Sequence, residues 1–255
     1  EDYRDDAARR RFSLLHGRIK HGSQFSSPDL RSLPTTYYSE HSGLGVAMQH
    51  NPRRAEGKSL HIGVIGLGVG TVAAYARPGD ELRFYEINPA VTRIAGDDRW
   101  FTYLRDCVGA VSVVEGDGRI ALERECRLRA APLDVLVLDA FSGDAIPMHL
   151  LTLEAFKIYF QRLRQPGGLL VVNVSNRYLD LEPVVAAAAL ALDRRVATIS
   201  YDTPDDRFSA STWMILSAGA PLVREIEDVM EQEASADGRM VLWTDDFSNL
   251  LGVIR

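Results

Sequence analysis

Residues 61–71 read His-Ile-Gly-Val-Ile-Gly-Leu-Gly-Val-Gly-Thr: an apolar, β-branched run that goes straight into Gly66, Gly68 and Gly70. No stretch constrains the fold more. The run predicts a buried parallel strand, and the glycines a tight turn whose backbone can approach a ligand closely. The apolar, alanine-rich segment 72–76 that follows predicts a helix start with free N–H groups. A second strand over 81–85 ends at Glu86, 20 residues beyond Gly66. An acid at that place reaches the two hydroxyls of a ribose.

The glycines are spaced Gly-x-Gly-x-Gly, whereas dinucleotide folds use Gly-x-Gly-x-x-Gly. The spacing therefore favours a nucleoside such as S-adenosylmethionine over NAD. A turn that only packs strand on helix is the plain alternative, and Glu86 weighs against it. The 255 residues suffice for one large α/β domain plus a small appendage. A net charge of −6 argues against a nucleic-acid-binding face, which needs a basic patch. The two cysteines, Cys107 and Cys126, lack metal-ligand spacing and fit free thiols in a reducing compartment. No apolar run reaches the length of a membrane span, and no signal peptide is visible. The chain opens on Glu1 rather than Met, as a processed chain or a piece of a longer one does. Arg9, Arg10 and Arg11 fit a solvated helix end.

Along the chain, 11–25 predicts a small β-hairpin with turns at Gly17 and Gly22, 26–34 a turn, and 41–49 the start of a helix or strand. Strands follow at 111–115, 133–138, 169–174, 195–200 and 211–217. Helices are expected at 89–95 (Asn88 as N-cap, Pro89 at N1), 119–129, 150–164, 183–192 and 221–234. The alternation predicts an α/β, doubly wound, mostly parallel sheet of seven strands over 59–255, preceded by a small β region and linker over 1–58. In such sheets ligands bind at the carboxyl ends of strands. The glycine turn, Glu86, Asp117 and Asp139 all fall there.

Asp117, in Gly116-Asp117-Gly118, can accept from an exocyclic amine of adenine; an ordinary turn aspartate is the bland reading. Asp139 leaves the buried run Val-Leu-Val-Leu, a costly place for a carboxylate without a partner or a task. It can steer a cationic amine and take its proton, or else cap a helix or join a structural ion pair.

The order of these motifs, with Leu-Asp-Ala-Phe-Ser-Gly-Asp-Ala-Ile-Pro around Asp139, resembles the spermidine synthase (aminopropyltransferase) family. His21-Gly22-Ser23-Gln24 is similar to that family's strand ending in a donor-binding glutamine, and Tyr37-Tyr38-Ser39-Glu40-His41 to its Tyr-x-Glu segment. Trp243-Thr244-Asp245-Asp246-Phe247-Ser248-Asn249 resembles the bacterial branch in which this domain follows a multi-span membrane region. The likeness runs over about residues 12–250 and implies the class I methyltransferase-like sheet. It implies that Gln24, Gly66, Gly68, Gly70 and Gly118 hold the donor, Glu86 its ribose and Asp117 its adenine. Asp139 becomes the base, Tyr38 stands beside the reacting nitrogen, and Asp144 and Tyr201 belong to the acceptor pocket.

Two positions depart from the family. Its polyamine-type members carry an aspartate within the glycine turn, where this chain has Val69. The second aspartate of its Asp-x-x-Asp spacing falls on Ser142, with Asp144 the nearest acid. Both changes remove negative charge from where a cationic tail and a diamine lie. The reading is a transferase moving an aminopropyl-type group from decarboxylated S-adenosylmethionine, or S-adenosylmethionine itself, to a small-molecule amine, with release of methylthioadenosine and no metal. The alternatives are a methyltransferase, disfavoured by Val64 where that fold often has an acid, and a nucleoside-binding module without turnover. The expected setting is cytoplasmic. A homodimer, an attached membrane region and a place at the inner membrane face are compatible with it, and a nucleic-acid partner is not expected.

Overall fold

A computed structural model describes residues 9–17, 19–140, 147–219, 232–233 and 241–254. The hairpin is present: β1 (Arg11–His16) pairs antiparallel with β2 (Ile19–Phe25) as a two-stranded sheet. Of the basic cluster, Arg9 is helical and Arg11 opens β1, where it donates to the Asp206 carbonyl at 2.8 Å. Residues 35–39 lie between hairpin and sheet, joined to Phe208 by a single bridge at Thr36. Then come α1 (Gly43–Gln49), capped by Ser42, and the short α2 (Pro52–Ala55), capped by Asn51. Helix α1 lies on the large sheet so closely that a Cβ on Gly43 would sit 2.5 Å from that of Trp213. The expected division at residue 58 thus comes after a helix that covers the sheet.

The large sheet holds the seven expected strands. They are β3 (His61–Ile65), β4 (Glu81–Glu86), β5 (Ala110–Glu115), β6 (Val135–Leu138), β7 (Leu169–Asn173), β8 (Val196–Tyr201) and β9 (Ser211–Ser217). A two-residue strand, β10 (Gln232–Glu233), is added at one edge, giving the order β10-β8-β9-β7-β6-β3-β4-β5. Strands β3 to β7 pair in parallel, and β9 runs antiparallel to both β7 and β8. The remaining helices are α3 (Pro89–Ala95), α4 (Tyr103–Asp106), α5 (Gly118–Arg127), α6 (Leu153–Arg162) and α7 (Glu182–Ala191). Asn88 and Pro89 start α3 as expected, the Asn88 side chain accepting from Ala90 N.

Residues alternate across the sheet with the strand period of two. Val64, Val135 and Val137 join the core on the α1 side, while Ile65, Leu136 and Leu138 join Phe156 and Tyr159 of α6 on the other. The central strands β3, β6 and β7 are covered on both faces and apolar nearly throughout, which is why they were legible as runs. Two expected helices differ. The segment after the glycine turn is a short 3-10 helix over Thr71–Tyr75, with Gly70 at its N-cap, instead of an α-helix. Of the helix expected over 221–234, residues 232–233 form a strand against β8, and the rest lies outside the described residues.

Candidate functional site

The chain runs outward from β3 through β4 to β5, then returns to the other side of β3 with β6. The carboxyl ends of β3 and β6 therefore open a crevice where the winding reverses. Gly66 and Asp139 meet in it: Asp139 N donates to the Ile65 carbonyl at 3.0 Å. Gly66 has φ of +97°, and a Cβ there would collide with the Asp139 carbonyl oxygen. Gly68, at φ +55°, lets the turn pass under the hairpin; a Cβ on it would come 2.5 Å from the His21 carbonyl oxygen.

A cavity of about 470 Å³ occupies this crevice. Its walls include Gly66, Gly68, Glu86, Asp117, Gly118, Tyr38 and Asp139, so seven expected residues converge. Glu86 is buried. Its Oε2 accepts from Leu67 N at 3.0 Å and its Oε1 from Asn88 N at 2.8 Å, tying the glycine turn to the end of β4. The next residue, Ile87, is 69% exposed on the cavity wall and offers an apolar face beside the carboxylate. Asp117 caps α5, its Oδ1 accepting from Ile120 N at 2.9 Å, while its Oδ2 lies 2.7 Å from His149 Nε2. Gly118 follows because a Cβ there would press on Ile65 at 2.8 Å.

At the other end stands Asp139. Tyr38 donates to its Oδ2 at 2.5 Å, and Asn173 Nδ2 to its Oδ1 at 2.8 Å. The Tyr37 hydroxyl lies 3.3 Å from that of Tyr38. Burial pushes the Asp139 carboxyl up from 3.8 to about 7, while the Tyr38 and Asn173 bonds pull the other way. Burial and the neighbouring carboxylate hold both tyrosine hydroxyls protonated. Asp139 keeps a half-buried face toward the cavity. The arrangement is a carboxylate poised near neutrality, held by two neutral donors and open to a reactant: the requirement for accepting a proton at ordinary pH. Tyr38 is itself fixed from behind. Tyr75 donates to its carbonyl, and Trp213 Nε1 donates to that of Tyr37 at 3.2 Å.

Three expected residues stand elsewhere. Gln24 is buried off the cavity wall: its amide donates to the Arg31 carbonyl at 2.7 Å and accepts from Thr102 N at 2.6 Å. It shares the strand face of Gly22, which rests on the glycine turn, and its bonds to Arg31 and Thr102 staple the hairpin down. Tyr201 stacks beside His41, ring centroids 5.7 Å apart, away from the cavity. Gly70 packs on Leu104 and is likewise off the wall. Asp144 and Ser142 lie outside the described residues. Val69 also needs revision as a cavity position. It is fully buried, and a Cβ on Gly22 would come 2.6 Å from its Cγ2, so its side chain points into the hairpin contact.

Sequence reading missed Asn173, His21 and His149. Asn173 ends β7, and the polar residue closing the apolar run Leu-Leu-Val-Val was its available signal. His21 sits half-buried on the hairpin near His16, and burial with that neighbour lowers its pKa, favouring the neutral imidazole. Among the described residues, no group of three or more His, Cys, Asp or Glu is placed to hold a metal, and no helix is long and apolar enough to cross a membrane.

No family model matches the sequence. A polyamine aminopropyltransferase from Vibrio vulnificus (strain CMCP6) is 30% identical over 216 residues, 76% of this chain and 70% of the relative. Human methyltransferase-like protein 13, solved in complex with SAH, superposes with a TM-score of 0.53 at 20% identity, over 72% of this chain and 85% of that one. A probable spermidine synthase from Corynebacterium glutamicum ATCC 13032 gives 0.52 at 19% identity, over 85% and 81%. At such identities the two structures establish the fold alone, the class I methyltransferase-like sheet.

Proposed function

The chain belongs to the polyamine aminopropyltransferase family, and from that premise we propose that it moves an aminopropyl-type group from an adenosyl-sulfonium donor to an amine, releasing methylthioadenosine. The observation that carries the proposal is the Asp139 carboxyl, raised to about 7 and held between Tyr38 and Asn173 at the switch point of the sheet. In the reaction, the amine nitrogen attacks the carbon next to the sulfonium. The C–N bond forms, the C–S bond breaks with its electron pair on sulfur, and the amine proton passes to Asp139. The sulfonium is already a good leaving group, so the protein has to orient, desolvate and deprotonate the amine. Glu86 would hold the ribose, Asp117 the adenine edge, and Ile87 would cover the base.

Donor choice follows from Val69. The glycine turn presents no carboxylate to the cavity, because this side chain is packed beneath the hairpin. Lys20 and Arg177 line the same cavity. The glycine turn thus supplies no counter-charge to a bare ammonium tail, which supports better tolerance of the zwitterionic tail of intact S-adenosylmethionine than in a standard spermidine synthase. Methyl transfer is the second reading, favoured only by the shared fold.

One incubation separates these readings. The protein is given S-adenosylmethionine or its decarboxylated form with a panel of amines, and the nucleoside product is identified. Methylthioadenosine supports the proposal, S-adenosylhomocysteine means methyl transfer, and binding without turnover means a nucleoside-binding module.

A further inference from the structure

The Trp243–Asn249 motif takes no part in the chemistry above, yet it is anchored against the nucleoside end of the cavity. Trp243 is buried in the core, and its carbonyl accepts from Leu153 N at 2.8 Å. Asp245 makes a two-pronged ion pair with Arg119, at 2.7 and 2.5 Å, and accepts from Thr152, the N-cap of α6, at 2.7 Å. Its backbone N–H donates to Glu154 at 3.0 Å. The Arg119 guanidinium holds the Asp245 carboxyl down to about 2, so the pair stays charged across the ordinary pH range.

Arg119 does not stop at Asp245. Its NH1 also donates to the His149 carbonyl at 2.8 Å, and the His149 imidazole reaches Asp117 at 2.7 Å. A carboxylate only accepts, so His149 must present its Nε2 as N–H. Asp117 Oδ1 accepts from the cap of α5 and Oδ2 from His149, so each oxygen keeps one lone pair for a base, and the two bonds together set where those lone pairs point. His149 therefore fixes the acceptor that would read a nucleobase, and the C-terminal segment fixes His149.

We propose that His149 is a positioning residue that sets selectivity for a 6-aminopurine, and that Asp245 acts on the same selectivity through Arg119. The inference rests on the adenosyl-pocket reading above. A carboxylate held with a lone pair toward the base accepts from a 6-amino group and repels a 6-oxo group. Released from His149, it can turn toward water and discriminate less.

The test is calorimetric titration of wild type, His149→Ala, His149→Gln and Asp245→Asn with methylthioadenosine and with methylthioinosine, its 6-oxo analogue. Wild type should prefer the 6-amino nucleoside. His149→Ala should lose about tenfold in methylthioadenosine affinity, the size of one charge-assisted hydrogen bond, with little change for the 6-oxo analogue. His149→Gln, which keeps an N–H donor of similar reach, should recover most of the preference. Asp245→Asn should shift the ratio in the same direction by a smaller factor. A purely structural role would weaken both nucleosides alike. If His149→Ala leaves the ratio unchanged, whether or not overall affinity falls, the proposal is overturned. If wild type binds neither nucleoside, the transferase reading fails and this one with it.

Discussion

Replacing Asp139 by Asn tests the site through stability and activity together. Burial displaces the carboxyl from 3.8 to about 7. At about 1.4 kcal/mol per pH unit, holding the charge in the fold costs about 4 kcal/mol, and the solvated face toward the cavity reduces that to about 1–3 kcal/mol. The sign follows from proton uptake. Below pH 3.8 the group is neutral in both folded and unfolded chains. From 3.8 to about 7 the unfolded chain loses the proton while the folded chain keeps it, so stability falls as pH rises through this window and stays lower above it. Asn carries no such proton and can still accept from Tyr38 or Asn173. Asp139→Asn should therefore match wild type near pH 4 and exceed it by about 1–3 kcal/mol at pH 8 in urea unfolding. Turnover should fall by roughly 10²–10⁴, the contribution of a positioned acid–base group. In wild type, turnover should rise with pH through about 7 as the base ionises. Equal stabilities at pH 8, or retained turnover in the variant, would refute the assignment of Asp139 as a strained base.

Other substitutions probe the same geometry. Glu86→Ala should weaken methylthioadenosine binding by about 1.5–3 kcal/mol in calorimetric titration, because both a ribose acceptor and the tether to Leu67 and Asn88 are lost. Val69→Asp should destabilise the fold by about 3 kcal/mol or more in urea unfolding, since it places an unpaired charge in a fully buried contact with Gly22. A stable variant with a new preference for the decarboxylated donor would show that this side chain reaches the cavity after all. Gly66→Ala should abolish nucleoside binding in the same titration, because its φ of +97° and the Asp139 carbonyl leave no room for a methyl group. Gln24→Ala should lower the melting temperature while leaving the nucleoside affinity of the folded protein within about twofold, as expected of a structural hydrogen bond away from the ligand.

What was legible in the sequence was whatever local pattern determines. Strands β3, β6 and β7 are buried on both faces and read as apolar runs, β4 and β5 alternate, and a position at a strand's carboxyl end follows from either pattern. Glu86, Asp117 and Asp139 were found that way. Side-chain direction was not legible where tertiary contact decides it. Gln24 and Val69 each fall at a family position, yet the Val69 side chain is spent against Gly22 of the hairpin and that of Gln24 on Arg31 and Thr102. The 3-10 turn over Thr71–Tyr75 defeated an alanine-rich helical signal because Arg77–Gly79 must turn back at once into β4. Asn173 and His149 serve Asp139 and Asp117 from 34 and 32 residues away in sequence, and nothing local announces either partnership.

The hairpin contact also bears on how such a chain can be cut and recombined. Gly22 rests on Val69, Gln24 grips Thr102, and Tyr38, just beyond the hairpin, delivers its hydroxyl to a carboxylate 101 residues downstream. Hairpin and Tyr38 are consequently not a removable cap on an autonomous sheet. Grafted onto another sheet of the same topology, they would bring one half of the Tyr38–Asp139 hydrogen bond and a surface fitted to this glycine turn. Deleted, they would leave the acid facing water and held by Asn173 alone. Substrate preference can therefore drift at the cavity rim while the two parts remain bound to change together.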